Sequence, residues 1–246
     1  MRLSVLALLV LVAAPPAHAA PPVDVALVLV GDVSRSIDDG EFQLQKQGYA
    51  AALTSPEVVA AISGGEHGAV AVAYVEFAGA GEVRTVLDWT VLRDAGTAGD
   101  FATHLAAAPR SFVGRTAIGD AIAFARTVLD NGGWAGARPV IDVCGDGTNN
   151  SGQTVTAARD TVVALGVTIN GLAIINEHPI SWTFAHVQPP GGLPNYYREN
   201  VTGGPGSFVM EVRDFSAFGE AMTRKLIAEI AGGGADGPRY AAAPDQ

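Results

Sequence analysis

Five oxygen-bearing side chains lie at the ends of predicted strands or near the start of a predicted helix, where polar groups from distant parts of a chain can meet. They are, in chain order, Asp32, Ser34, Ser36, Thr116 and Asp146. Carboxylates and hydroxyls are hard oxygen donors, which suit Mg²⁺, Mn²⁺ or Ca²⁺ and not soft metals. We therefore predict a site for a divalent cation, with Mg²⁺ as the first expectation.

The elements that must position these side chains alternate between strands and helices. Buried strands are predicted over residues 23–31, 69–77, 139–144 and 167–174, an exposed edge strand over 82–89 and a short strand over 207–212. Helices are predicted over residues 41–53, 101–108, 116–129 and 154–165, with a further helix capped by Asp214. This alternation predicts an α/β fold, a doubly wound and mostly parallel central sheet flanked by helices. Such sheets bind ligands at the carboxyl ends of their strands, where the strand order reverses.

The five side chains also resemble a known constellation. Asp32, Ser34 and Ser36 form an Asp-x-Ser-x-Ser motif after the first strand, followed by the distant Thr116 and Asp146. This pattern resembles the metal-ion-dependent adhesion site of von Willebrand factor A-type domains. The resemblance covers about residues 23–231, and it is closest to a bacterial family of exported proteins with that fold. The stretches that carry this closer likeness are 45–52, 116–125, 140–150, 170–174, 196–208 and 225–231.

The resemblance implies a role for each residue of the site. Ser34, Ser36 and Thr116 would ligate the cation through their hydroxyls, and Asp32 and Asp146 would act mainly through bound water. An ion with few direct carboxylate ligands accepts one more anionic oxygen from outside. The implied function is a metal-dependent protein-binding module that is not an enzyme, and the implied partner is a protein presenting a carboxylate.

Two other functions remain as alternatives. Ser34 and Ser36 could cap the helix after the first strand and Asp146 could be a turn residue, which would make the chain a metal-free structural domain. Residues 145–150 resemble a loop of haloacid-dehalogenase-type phosphatases, which would make it a metal-dependent hydrolase. Those enzymes need an acid two residues after the nucleophilic Asp, and Ser34 stands there.

Two arginines and one cysteine flank the predicted site. Arg35 and Arg115 would place positive charge at its rim, where an acidic partner would dock. Cys144 stands where the resembling family usually has Ser, and we predict a small buried core residue. As the only cysteine of the chain, it excludes an internal disulfide.

The N-terminus and the overall charge indicate compartment and partner class. Residues 1–19 read as a signal peptide, with an apolar run and Ala17-His18-Ala19 at its end, so we predict export to the periplasm or the extracellular space. Residues 20–231 are predicted as one domain without a transmembrane segment, containing a long loop over 176–206, and residues 232–246 as a disordered tail. A net charge of −10 without basic runs argues against nucleic-acid binding.

Overall fold

Six strands form a single sheet in the part of the chain that the computed structural model describes, residues 20–134, 136–175 and 189–232. The strands are β1 (Val25–Asp32), β2 (Val70–Phe77), β3 (Val83–Leu92), β4 (Arg138–Gly145), β5 (Thr168–Ile174) and β6 (Val209–Val212). The helices are α1 (Asp39–Thr54), α2 (Pro56–Ser63), α3 (Ala95–Ala107), α4 (Ile118–Gly132), α5 (Val155–Val163), α6 (Gly192–Tyr196) and α7 (Phe218–Ile230).

The strand order is β3-β2-β1-β4-β5-β6, and every neighbouring pair is parallel except β2 and β3. The chain moves outward from β1 to β2 and β3, then returns to place β4 on the other side of β1. The direction of winding therefore reverses between β1 and β4, and the loops that follow these two strands diverge at that edge. The predicted α/β fold with a mostly parallel sheet is confirmed, as is the position of β3 at the edge.

Both faces of the sheet are covered by helices, which explains why β1 and β2 are buried along their whole length. Alternate residues of β1 belong to opposite cores. Leu27 and Leu29 pack with apolar residues of α1, α2, α3 and α7. Val28 and Val30 pack with apolar residues of α4 and α5.

Three local predictions need correction. The helix predicted from residue 101 begins six residues earlier, because Asp94 caps α3 and accepts a hydrogen bond from Thr97 N. Thr116 does not open α4, which begins at Ile118. The loop predicted over residues 176–206 contains α6 and a π-helical turn, Tyr197–Val201.

Some predictions lie outside the described residues. These are the signal peptide over residues 1–19, residues 176–188 of the predicted loop and the tail beyond residue 232. Among the described residues, no helix combines the length and the apolar character needed to cross a bilayer.

Candidate metal centre

Strands β1 and β4 bring Asp32 and Asp146 to the same edge of the sheet. Asp32 is the last residue of β1, and Asp146 directly follows Gly145 at the end of β4. The two strands are hydrogen-bonded neighbours, with Gly31 opposite Cys144. Two carboxylates separated by more than a hundred residues in sequence are thereby placed at the switch point of the sheet.

The loop after β1, residues 33–38, adds two hydroxyls between these carboxylates; we call it the β1 loop. Asp32 Oδ1 accepts a hydrogen bond from Ser34 N at 2.7 Å, which turns the chain at the strand end. The hydroxyls of Ser34 and Ser36 lie 3.0 Å apart, and Ser36 Oγ donates to Asp146 Oδ1 at 2.9 Å. The Asp-x-Ser-x-Ser motif thus reaches across to the second carboxylate.

Thr116 completes the set from the loop that precedes α4. Its hydroxyl donates to Ser34 Oγ at 3.3 Å. Its own backbone N–H donates to Asn150 Oδ1 at 2.9 Å, and its carbonyl accepts from Asn150 N at 2.9 Å. Asn150, in the loop after β4, therefore holds Thr116 at the site by a two-point contact.

Two glycines allow the loops to approach this closely. A Cβ at Gly145 would lie 2.9 Å from Asp32 Oδ2 and 2.8 Å from the Tyr197 hydroxyl. A Cβ at Gly114, two residues before Thr116, would lie 2.7 Å from the backbone nitrogen of Gly79. Any side chain at either position would push one wall of the site away.

Helix capping does not explain the serines. The cap of α1 is Asp38, whose side chain accepts from Glu41 N at 2.9 Å, while the Glu41 side chain accepts from Asp38 N at 2.8 Å. This reciprocal pair satisfies the first turn of the helix. The side chains of Ser34 and Ser36 instead contact each other, and Ser36 contacts Asp146. The alternative of a metal-free structural domain, in which these serines cap the helix, therefore does not explain them.

The residues present fit a hard divalent cation. All five predicted side chains meet in one cluster, and they are between 0% and 7% exposed: Asp32, Ser34, Ser36, Thr116 and Asp146. Burying two carboxylates together is costly unless positive charge offsets them. Among the described residues, no three His, Cys, Asp or Glu side chains are placed to hold a metal. The five side chains of the cluster supply three hydroxyls and two carboxylates.

Tyr197 forms part of the site's wall and is affected by its charge. Burial raises the pKa of the Tyr197 phenol well above its usual value, and the carboxylates of Asp32 and Asp146 are among the charges that raise it further. The phenol is therefore neutral at physiological pH.

The two predicted rim arginines are both exposed, on the β1 loop and beside Thr116. The backbone N–H of Arg35 donates to the carbonyl of Gly114 at 3.0 Å, so the two loops are in direct contact. Arg115 Nε lies 3.4 Å from Asn150 Oδ1. Val113, with 66% of its surface exposed, lies on the same loop as Arg115.

Sequence reasoning missed three residues of this site. Asn150 carried a signal, since it lies in the polar loop after β4, but its contact with Thr116 was not foreseen. Tyr197 lies in a segment interpreted as loop. Arg110, described below, carried no signal at all.

The fold is that of a von Willebrand factor A-type domain, as the sequence resemblance predicted. Proximal thread matrix protein 1 from the mussel byssus is similar over 85% of this chain, with 18% identity and a TM-score of 0.61. Another structure of that protein has zinc in its metal-ion-dependent adhesion site (MIDAS) motif. A von Willebrand factor type A protein from Catenulispora acidiphila is similar over 85% of this chain, with 15% identity and a TM-score of 0.57. This chain covers only 48% and 43% of these two proteins.

A shorter protein matches along nearly its whole length. The similarity to BatB from Bacteroides thetaiotaomicron extends over 84% of this chain and 98% of BatB, with 17% identity and a TM-score of 0.55. The chain belongs to the family described as "Protein of unknown function (DUF1194)", whose model matches residues 22–234. No curated protein sequence matches it.

Proposed function

We propose that this protein is an exported binding module that binds a protein partner through a divalent cation. The observation that carries the proposal is the buried cluster of three hydroxyls and two carboxylates at the switch point of the sheet. Ser34, Ser36 and Thr116 would hold the ion through their hydroxyls, and Asp32 and Asp146 would act through water. When bound, the ion supplies an open coordination position for an outside carboxylate.

The nature of the partner follows from the surface around the site. Arg35 and Arg115 are exposed on adjoining loops, and Val113 adds an apolar side chain beside them. A partner that offers a carboxylate flanked by further acidic and apolar groups complements this surface. At physiological salt the Debye length is about 8 Å, so these nearby cations act on the partner more strongly than the distant net charge.

Binding rather than catalysis is the better account of the site. A phosphatase of the type considered above needs a carboxylate two residues beyond Asp32, and Ser34 occupies that position. The hydroxyl of Ser34 lies within hydrogen-bond distance of Ser36 and Thr116. Neither of these hydroxyls is a general base for Ser34, and Asp146, the carboxylate that Ser36 contacts at 2.9 Å, is assigned to the ion in this proposal.

The proposal is tested by capturing partners from the periplasm with and without a chelator. Partners should be retained in Mg²⁺ and released by the chelator, and Thr116→Val should capture less of them at limiting Mg²⁺. A partner set unaffected by both the chelator and Thr116→Val would contradict a cation bridge. The experiment also tests whether Mn²⁺, Ca²⁺ or Zn²⁺ restores binding after chelation.

The rim is tested with the captured partner by surface plasmon resonance at two salt concentrations. Arg35→Glu should slow association, most strongly at low salt, because rim charges act chiefly on encounter. Arg93→Glu is the matched control: Arg93 is also exposed, but it follows β3 at the end of the sheet where β1 and β2 begin, away from the site. Equal association rates for wild type and Arg35→Glu at low salt would refute the rim.

A further inference from the structure

Two of the three guanidinium nitrogens of Arg110 contact backbone carbonyls of the β1 loop. Its Nη2 donates to the carbonyls of Val33 at 2.7 Å, Ser34 at 2.7 Å and Ile37 at 2.8 Å. Its Nε lies 3.2 Å from the same Val33 carbonyl and 3.0 Å from that of Phe112. Only 12% of the side chain is exposed. These contacts bracket the residues that carry the hydroxyls of the candidate site.

The guanidinium is held in place from below by an aromatic ring. It lies over Phe42 of α1, with its central carbon 5.6 Å from the ring centroid. Its remaining nitrogen, Nη1, is 3.4 Å from the exposed carboxylate of Asp39, a contact that contributes little because it is open to solvent. The ring and the carbonyls, rather than this ion pair, fix the orientation of Arg110.

The segment that bears Arg110 is itself anchored on both sides. Lys46 Nζ donates to the carbonyl of Ala108 at 2.7 Å, which ties the segment to α1. The backbone N–H of Ser111 donates to Glu76 Oε2 at 2.9 Å, which ties it to β2. Arg110 therefore extends to the β1 loop from a segment that is hydrogen-bonded to both α1 and β2.

We infer that Arg110 is a positioning residue that sets the metal affinity of the candidate site, an inference that rests on the proposed function. Three carbonyl dipoles from the β1 loop converge on one nitrogen, and the positive charge of the guanidinium offsets their mutual repulsion. A planar guanidinium meets several acceptors with fixed geometry, whereas a lysine ammonium is a point charge on a flexible stem. Holding the carbonyls of Val33, Ser34 and Ile37 fixes the backbone on both sides of the two serine hydroxyls.

The test compares Arg110→Lys with Arg138→Lys. Arg138 is a matched control, because its Nη2 also donates to two backbone carbonyls, those of Glu229 at 2.6 Å and Ile230 at 3.1 Å. It lies at the start of β4, the end of the strand opposite Asp146. Both variants keep the positive charge and lose the planar fork, and both should lower the thermal midpoint.

Only Arg110→Lys should weaken metal binding. Titration calorimetry with Mg²⁺, at a temperature where circular dichroism shows every variant folded, should give a Kd about ten- to a hundredfold higher than wild type, the range found for groups that orient metal ligands. Hydrogen exchange should quicken at the backbone N–H groups of residues 33–37. Arg138→Lys should leave both readouts at the wild-type level.

The outcomes separate the inference from the function on which it rests. If wild type binds no Mg²⁺, Mn²⁺, Ca²⁺ or Zn²⁺, the proposed function fails first. If wild type binds Mg²⁺ and Arg110→Lys binds it within twofold as tightly, the inference fails alone. Should Arg110→Lys not fold, Phe42→Leu removes the ring beneath the guanidinium, and an unchanged Kd and exchange rate in that variant overturn the inference.

Discussion

At the end of β4, the absence of a side chain at Gly145 lets the backbone lie closer to Asp32 than any other residue would allow. The nearest atoms to an added Cβ would be the Tyr197 hydroxyl at 2.8 Å and Asp32 Oδ2 at 2.9 Å. Asp32 is a short side chain whose other oxygen already accepts from Ser34 N, so it has little freedom to move. A methyl group at Gly145 would therefore displace Asp32, a residue of the candidate metal site.

Gly145→Ala should lower both metal affinity and stability, the latter by about 1–3 kcal/mol as for an overpacked core position. Gly99→Ala is the control, since a Cβ there meets nothing within 4 Å and Gly99 lies inside α3. That control should gain about 0.5–1 kcal/mol, because alanine favours a helix over glycine. Urea unfolding and Mg²⁺ calorimetry measure both effects. A Gly145→Ala variant with wild-type affinity would show that the close approach of β4 to Asp32 is not needed for binding.

At the scale of elements, α7 is joined to the sheet by a buried cluster of charges. Lys225 Nζ pairs with Asp142 Oδ1 of β4 at 2.6 Å and with Glu229 one turn along α7. Asn170 Nδ2 of β5 also donates to Glu229 Oε1, at 2.9 Å. Two carboxylates therefore share one ammonium in a site without solvent, and the cluster fixes the register of α7 against β4 and β5.

Burial raises the pKa of Glu229, the negative charge of Asp142 raises it further, and the result is a pKa of about 7. The folded protein thus holds a proton that the unfolded chain releases above its ordinary pKa of 4.5. Stability from this group is complete at low pH and is lost as pH rises towards 7. The pKa of Lys225 is raised, so its contribution does not change in this range.

Glu229→Gln should therefore match wild type near pH 5 and be more stable at pH 8, by up to about 3 kcal/mol. Urea unfolding at pH 5, 6, 7 and 8 gives the difference at each pH. Glu220→Gln is the control on the same helix, because Glu220 is exposed and pairs with Arg224 one turn away. A constant difference between wild type and Glu229→Gln across this range would contradict the shifted pKa.

The elements that carry the site were predictable from sequence because their patterns are local. The apolar runs of β1 and β4 end where Asp32 and Asp146 begin, and parallel strands place such ends together. The start of α3 was missed because its first turns contain Gly96 and Gly99, which weaken a helical pattern, although Asp94 offered a capping signal.

Arg110 could not have been predicted from sequence. Its partners are backbone carbonyls more than seventy residues away, and a carbonyl is present at every position whatever the side chain. The two hydrogen bonds between Asn150 and Thr116 could not be predicted for the same reason, because they use the backbone of both residues. Contacts from side chain to distant backbone become visible only once the fold is known.

At the scale of the whole molecule, the chain is acidic, but two exposed arginines lie beside the candidate metal site. The net charge is −10, yet Arg35 and Arg115 lie exposed on adjoining loops beside the cluster of oxygen donors. A bound cation would add to this local positive charge. Nearby charges of this kind act chiefly on the rate at which an acidic partner meets the site.

A cation that binds the native state and not the unfolded chain must also stabilise the fold. The gain is about 2.7 kcal/mol when the free ion is a hundredfold above its Kd. The thermal midpoint should therefore rise with ion concentration. This link connects the residues of the site to the stability of the whole domain.

The most direct test of the account is Mg²⁺ calorimetry on wild type, Thr116→Val and Thr127→Val, with thermal unfolding of the same samples. Valine removes one hydroxyl and keeps the shape, and Thr127 is the control because its hydroxyl bonds only within α4. We expect one site in wild type and in Thr127→Val, a midpoint that rises with Mg²⁺, and at least about tenfold weaker binding in Thr116→Val. Absence of binding to wild type at millimolar ion, or equal binding by Thr116→Val, would contradict the account.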